Sequence, residues 1–199
     1  MTTAVVPAPG PGFTPGPARW TCDEFHRLWD SGALEGKWVI LVDGEMLAMP
    51  APNLPHDASL ELTAEWLRGV FTPGCWVRVQ MGLVLGVNTD PIPDVAVVPG
   101  SPRTLTQTPR SALLVVEVAE SSLAYDTGEK ASLYAAAGIE DYWVIDVEHR
   151  RLLVFRGPMA DPNQKYGHRY ARVAALDPAD TVAPLAMPNN SVKVGDLLP

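Results

Sequence analysis

Two acidic residues lie within or beside strongly apolar segments, and they are the first candidates for chemistry. Glu117 interrupts the aliphatic run LLVVEV, and Asp94 opens the run DVAVV. A buried carboxylate without a partner costs several kcal/mol, so an internal Glu117 requires a cation, a metal or a proton. Alternatively, Glu117 leans out at the end of its strand or pairs with an arginine, and Asp94 is a turn residue after proline.

Side-chain alternation along a strand indicates how the two acids would meet. Asp94 shares a face with Ala96, and Glu117 shares a face with Val115, because strand side chains repeat every second residue. If the two strands are neighbours, both carboxylates point into the same space. Like charges repel there unless a divalent cation lies between them, and two carboxylates with waters are an ordinary Mg²⁺ site.

The segment after Glu117 carries a lysine and an aspartate at helical spacing. Lys130 lies one turn into a predicted helix, on the same stripe as Tyr134, and its charge would stabilise a developing negative charge or orient an attacking water. A solvated lysine is the alternative, because lysines are mostly exposed. Asp126 opens the sequence Asp-Thr-Gly-Glu, which is typical of a capping box, so it is either a helix N-cap or a supporting acid.

Glu45 and His56 are further candidates for supporting roles. Glu45 follows an Asp-Gly turn and would serve as an outer ligand or as the ligand of a second metal. His56 lies on the apolar stripe of a predicted helix, one turn before Leu60, and would hydrogen-bond a carboxylate or a phosphate. A position on the surface is the alternative for both residues.

The composition limits the class of protein and of partner. The 199 residues are 47% hydrophobic and 19% charged, so the chain can fold as a globular protein and is not disordered by composition. No apolar run reaches the ~18 residues of a membrane span, and two cysteines are too few for a disulfide framework. We therefore expect a cytoplasmic protein without membrane contact. The net charge of −8 argues against sequence-independent binding of nucleic acid, because such binding depends on Lys and Arg.

Turn signals and hydrophobic periodicity predict the elements that must position these residues. Residues 1–17, rich in proline and glycine, predict a flexible arm, and residues 18–199 a single domain. Helices are predicted after a Thr21–Glu24 capping box, over 56–70 and over 127–137. Predicted strands cover 38–42, 45–49, 75–81, 82–87, 92–98, 112–118, 142–147, 151–155 and 168–176. Strands interrupted by helices indicate a mixed α/β (α+β) fold, with helices packed on a largely β centre.

Several of these segments together resemble a known family. The similarity rests on the Thr21–Trp29 helix, GEMLAMP (44–50) with His56, PDVAVV (93–98), LLVVEVAESS (113–122) and KASLYAAAGIEDYWVIDV (130–147). In this order they resemble the Uma-type putative restriction endonuclease family, of the PD-(D/E)XK nuclease superfamily. The resemblance implies a restriction-endonuclease-like core, a mixed β-sheet with flanking helices, and an acidic site for Mg²⁺ or Mn²⁺.

The resemblance also implies roles for individual residues. Asp94 and Glu117 match the family's metal-binding acids, and Lys130 matches a catalytic lysine that has moved from the strand to the next helix. The sequence departs from the family at two positions. Ala119 stands where a lysine would complete a strict Glu-X-Lys, so activity depends on Lys130, and Glu120 stands where the family usually has serine.

These implications predict a Mg²⁺-dependent endodeoxyribonuclease, a hydrolase with DNA as its partner, and they allow a homodimer. Arg68, Arg78, Arg103 and Arg110 would offset the negative net charge if they line one face. One alternative is a catalytically silent nuclease fold that serves as a binding or assembly module, which the altered Glu-X-Lys favours. Another alternative is a metal-dependent hydrolase acting on a small phosphate ester.

Overall fold

Four α-helices and ten strands make up the described part of the protein. The computed structural model describes residues 16–49 and 53–199, so residues 1–15 of the predicted arm lie outside it. The helices are α1 (Cys22–Asp30), α2 (Leu54–Phe71), α3 (Leu123–Tyr125) and α4 (Ala131–Ala136). The strands are β1 (Val39–Val42), β2 (Glu45–Ala48), β3 (Cys75–Val79), β4 (Val95–Pro99), β5 (Leu114–Ala119), β6 (Asp141–Asp146), β7 (Arg151–Ala160), β8 (His168–Leu176), β9 (Thr181–Val182) and β10 (Val192–Lys193). A π-helical turn (Asp126–Lys130) joins α3 to α4, and a 3-10 helix (Val194–Leu197) follows β10.

The central sheet has six strands in the order β3-β4-β5-β6-β7-β8. Neighbouring strands are antiparallel except β5 and β6, which are parallel. Every residue of these two central strands is buried, which confirms the central strand predicted at 112–118. Parallel strands need a crossover connection, and here α3, the π-helical turn and α4 supply it. The crossover therefore places a helix over the sheet directly after Glu117.

Helices cover both faces of the sheet, which confirms the predicted mixed α+β architecture. The apolar stripe of α2, including Leu60, Ala64 and Leu67, packs in the core on one face. Ala131 and Tyr134, from the start and middle of α4, pack in the core on the other face. Among the described helices, none is long and apolar enough to cross a membrane.

The N-terminal elements form as their local sequence predicts. Thr21 caps α1, and its hydroxyl and backbone exchange hydrogen bonds with Glu24 in a complete capping box. The hairpin β1–β2 turns at Asp43 and Gly44, whose φ angles of +52° and +76° suit a tight two-residue turn. The hairpin packs against the start of α4 through Leu133, and so borders the crossover.

One predicted strand is wrong. Residues 82–87 are an apolar, β-like run, yet they form no strand, although Leu83 and Val84 are buried. The backbone amide of Leu83 donates to the carbonyl of Pro91, and that of Val84 donates to the carbonyl of Pro109. Proline has no amide hydrogen to return, so a regular ladder cannot form against these partners. The apolar run therefore reflects burial in a loop.

The start of the crossover helix also differs from the prediction. The helical segment begins at Leu123 rather than at 127, and Asp126 lies inside it with helical backbone angles. The predicted N-cap role of Asp126 is therefore wrong. The Asp126 side chain is 2% exposed, and it points inward, where its carboxylate lies 3.0 Å from the ammonium of Lys130.

Candidate functional site

Asp94 and Glu117 meet at the end of the β4–β5 ladder. Val95 pairs with Val116 in antiparallel register, so the next positions, Asp94 and Glu117, oppose each other on one face of the sheet. The backbone amide of Asp94 lies 3.4 Å from Glu117 Oε2, and the amide of Val118 donates to Asp94 Oδ2 at 2.8 Å. Each carboxylate is therefore held by the backbone of the opposite strand.

Lys130 reaches these acids from the π-helical turn. Its Nζ lies 3.0 Å from Glu117 Oε2 and 3.0 Å from Asp126 Oδ1, and its side chain is only 4% exposed. The contact with Asp126 is an ion pair without the angles of a hydrogen bond. The alternative of a solvated lysine is therefore excluded by its burial, and Asp126 stands beside the ammonium.

Tyr134 is a member of this cluster that sequence reasoning assigned only to packing. Its hydroxyl donates a 2.7 Å hydrogen bond to Glu117 Oε1, and its side chain is fully buried. Tyr134 follows Lys130 by one helical turn, so both side chains lie on the same face of the helix. That spacing, together with an acid in the preceding strand, is the signal that would have found it.

Burial and neighbouring charges both shift the pKa values of Glu117 and Lys130. Burial raises the pKa of Glu117 to about 8; the charge of Lys130 works to lower it, while those of Asp94 and Asp126 raise it further. Burial works to lower the pKa of Lys130, but the charges of Glu117 and Asp126 outweigh it and raise that pKa above its ordinary value. Lys130 is therefore a fixed positive charge, whereas Glu117 exchanges its proton near neutral pH.

His56 and Gln80 contact the outer carboxylate, Asp94. His56 Nε2 lies 3.3 Å from Asp94 Oδ1, and Gln80 Nε2 donates to the same oxygen at 3.5 Å. The hydrogen bond with Asp94 raises the pKa of His56. Burial works to raise the pKa of Asp94, but its contact with His56 outweighs this effect and lowers it. At neutral pH Asp94 is therefore ionised, whereas the Glu117 carboxyl is protonated.

Glu45 and the four arginines lie elsewhere. Glu45 is exposed on β2, where it pairs with Arg19 at 2.8 Å, and it is not among the described residues that line the cleft. Arg68, Arg78, Arg103 and Arg110 are also absent from the described lining. Arg78 is buried and donates to the Gly82 carbonyl at 2.7 Å, so it cannot serve a surface for DNA.

The acids open into a cleft of about 450 Å³. The polar part of the described lining includes Glu120, which accepts a hydrogen bond from Asn53, and the exposed Lys37. The apolar part of the lining, called the aromatic side below, consists of Trp29, Trp38, Val39, Ile40, Met49 and Ile92. Among the described residues, no group of three or more His, Cys, Asp or Glu side chains is arranged to hold a metal by itself.

Sequence comparison identifies the family. The family model Uma2, described as a putative restriction endonuclease, matches residues 22–195. The chain belongs to the Uma2 family. The match covers most of this Uma2 chain, including α1, the hairpin, both acids and the crossover, and it confirms the resemblance recognised in the motifs.

A solved structure is similar to this Uma2 protein in fold. It is described as a putative nuclease belonging to DUF820 from Anabaena variabilis, and it matches with a TM-score of 0.66 at 17% sequence identity. The match covers 89% of this chain and 96% of that chain. At this identity the similarity concerns the fold, and it confirms the predicted nuclease-like fold class. No curated protein matches the chain.

Proposed function

We propose that this Uma2 protein is a metal-dependent endonuclease that hydrolyses phosphodiester bonds in DNA. The observation that carries the proposal is the meeting of Asp94 and Glu117 at one end of a cleft, with the Lys130 ammonium 3.0 Å from Glu117. Both acids project from the sheet into space that a substrate can enter. We assign Asp94 and Glu117 as metal ligands, and Lys130 as a catalytic residue.

The residues suit a hard divalent cation such as Mg²⁺ or Mn²⁺. The carboxyl groups of Asp94, Glu117 and Asp126 stand around a single lysine ammonium, and the raised pKa of Glu117 reflects too little positive charge beside its ionised form. A divalent cation would supply that charge and would favour the ionised carboxylate. Magnesium is commonly held by one or two carboxylates together with waters and substrate phosphates, so two acids without a third protein ligand fit it.

The residues of the chain divide the work of hydrolysis. When bound, the cation supplies Lewis-acid stabilisation of the phosphate and an activated water. Lys130 stays protonated, so it cannot act as a base; it stabilises negative charge that develops on the phosphate or orients the attacking water. Tyr134 holds Glu117 in place, and His56 holds Asp94. These two are positioning residues.

A metal titration tests the proposal. Calorimetry with Mn²⁺ should show binding by the wild type and none by Glu117→Gln, because the amide keeps the shape of the side chain but lacks its charge. Glu148→Gln, an exposed residue after β6, is the matched control and should bind Mn²⁺ like the wild type. With Mg²⁺ the wild type should cut DNA, tested on both plasmid and single-stranded substrates, and Glu117→Gln should cut neither. Equal Mn²⁺ affinity in Glu117→Gln would rule out the ligand role.

A catalytically silent binding or assembly module is the second candidate. The observation that favours it is that Lys130 already pairs with Glu117 and Asp126, so the buried cluster is partly neutralised without a metal. A module of this kind should bind no Mn²⁺ and cut no DNA or RNA with Mg²⁺ or Mn²⁺. The same titration and plasmid assay therefore distinguish the two functions.

A further inference from the structure

The aromatic side of the cleft has no part in holding the acids. Trp38 is 55% exposed and Trp29 is 39% exposed, and both line the cleft that contains Asp94 and Glu117. Tryptophan is highly buried on average, and an exposed apolar patch rimmed by polar residues is typical of a ligand-binding surface. The two indoles therefore indicate a flat apolar group as the occupant.

The Trp29 ring and the Trp38 backbone are each held by a contact. Trp29 packs edge-on against Phe25 within α1, with ring centroids 6.2 Å apart. The carbonyl of Trp38 accepts a hydrogen bond from the amide of Met49 at 2.8 Å, which ties its backbone to the other strand of the hairpin. These contacts lower the ordering cost of stacking a ligand on the two indoles.

The charges of the cleft do not suit a duplex gripped by its phosphates. Its described lining contains four acids, Asp94, Glu117, Glu120 and Asp126, and two lysines, Lys37 and Lys130. Lys130 is already paired with acids, which leaves the exposed Lys37 as the second lysine of the described lining to contact a phosphate. The volume of about 450 Å³ also matches a site for a small group rather than a groove for a double helix.

We infer that the cleft takes unpaired nucleotides, with a base stacked on Trp38 and Trp29, so that the substrate is single-stranded nucleic acid or a strand with an extruded base. The inference rests on the proposed nuclease function and specifies its substrate class. Stacking is tolerant of sequence because every base has an aromatic face, and it supplies affinity where cations are few.

The first test measures binding. Fluorescence anisotropy compares the affinity for a labelled oligothymidylate of twelve nucleotides with the affinity for a duplex of the same length. The buffer contains Ca²⁺, which also takes oxygen ligands, in place of Mg²⁺. The wild type should bind the single strand more tightly. Trp38→Ala should weaken that binding about tenfold, and Trp38→Phe should restore most of it. Val173→Ala on β8 is the control, because Val173 is 57% exposed and lies outside the described lining of the cleft.

Two further measurements do not depend on one variant. The single strand should quench the tryptophan fluorescence of the wild type, and quench less in a folded Trp29→Ala variant. The logarithm of affinity should fall with the logarithm of salt concentration with a slope no steeper than about −1.4, the value for two neutralised phosphates on a single strand. A steeper slope, or equal binding of duplex and single strand, would overturn the inference.

The outcomes separate this inference from the nuclease proposal. If Trp38→Ala cuts duplex DNA like the wild type and binds the oligothymidylate unchanged, the nuclease stands and the stacking surface is rejected. If the wild type binds single strands through Trp38 but cuts nothing, the binding surface is supported and the nuclease proposal fails.

Discussion

Lys130 Nζ lies 3.0 Å from Glu117 Oε2, although the lysine comes from a helix and the glutamate from a strand. The parallel pairing of β5 and β6 explains this arrangement, because the crossover it requires returns over the sheet beside the end of β5. The crossover thus brings a lysine to the glutamate although Ala119, two residues after Glu117 in the strand, carries no charge.

Lys130→Met should separate binding from chemistry. Since lysine is not a metal ligand, the variant should still bind Mn²⁺, but the pH midpoint of binding should move upward because the ammonium that lowers the pKa of Glu117 is gone. It should cut DNA about 10²–10³-fold more slowly, because one electrostatic stabiliser of the transition state is gone. Calorimetry measures the binding of Mn²⁺, and an assay with plasmid and single-stranded DNA measures cleavage.

Lys193→Met is the control for Lys130→Met, because Lys193 is exposed on β10. Without metal, Lys130→Met should also unfold more readily, by about 3–5 kcal/mol, since it leaves buried carboxylates without their cation. Wild-type cleavage by a stably folded Lys130→Met would remove Lys130 from the catalytic residues.

Tyr134→Phe should weaken metal binding without changing the fold. The hydroxyl donates to Glu117 and lowers the pKa of that residue, so its loss raises this pKa further. Metal binding needs the ionised carboxylate, and its pH midpoint should therefore move upward. Tyr170→Phe is the matched control, because Tyr170 is buried and its hydroxyl has no hydrogen-bond partner among the described residues. A shift of equal size in both variants would contradict a positioning role for Tyr134.

Glu117→Gln should stabilise the metal-free protein at high pH. The folded pKa of Glu117, about 8, is above its ordinary value, so the stability present below pH ~4 is lost as the pH rises through 8. The amide carries no such penalty. In EDTA, the melting temperature of the variant should therefore exceed that of the wild type by an amount that grows from pH 5 to pH 9. Parallel curves would contradict the raised pKa.

The meeting of the two acids could be predicted from the sequence, because it depends on local rules. Side-chain alternation placed Asp94 and Glu117 on definite faces, and an apolar run of strand length identified a central strand. The remaining condition was that the two strands are neighbours, and the register of Val95 with Val116 fulfils it. The same kind of signal predicted the hairpin at Asp43 and the cap at Thr21.

Other features could not be predicted, because they depend on tertiary partners. The loop over 82–87 is as apolar as a strand, but the backbone amides of Leu83 and Val84 donate to the carbonyls of Pro91 and Pro109, which lie outside the segment. The Asp-Thr-Gly-Glu sequence at Asp126 looks like a cap, but the helix starts earlier, and Asp126 is drawn inward by the ammonium of Lys130. Neither the loop at 82–87 nor the inward position of Asp126 could be read from the local sequence pattern.

Acid should weaken the protein through Asp146, outside the site. Burial works to raise the pKa of Asp146, but hydrogen bonds from His149 and from Arg151, at 2.8 Å, outweigh it and lower that pKa. The stability from these contacts is present above pH ~4 and lost as the pH falls through the lowered pKa. At pH 7 the free energy of unfolding of Asp146→Asn should therefore be about 1–3 kcal/mol lower than that of the wild type. In urea unfolding at lower pH, the free energy of unfolding of the variant should also fall less steeply with acid than that of the wild type. Asp30→Asn, exposed at the end of α1, should leave both unchanged.

Gly128 tests the backbone of the π-helical turn. A Cβ built there meets nothing within 4 Å, so Gly128→Ala should stabilise the protein by about 0.4–1 kcal/mol through the unfolded chain. Gly138→Ala should destabilise it, because Gly138 has a φ of +74° at the end of α4. Thermal unfolding measures both. A loss of stability in Gly128→Ala would mean that the turn needs glycine.

The π-helical turn makes the site sensitive to chain length rather than to composition. Each residue of an α-helix turns the chain by about 100°, so deleting one residue between Asp126 and Lys130 would rotate either the aspartate or the lysine out of the cluster. Substitutions at the exposed Gly128 and Glu129 leave that phase unchanged. Among homologous chains, the spacing of these two residues should therefore be kept even where the residues between them vary freely.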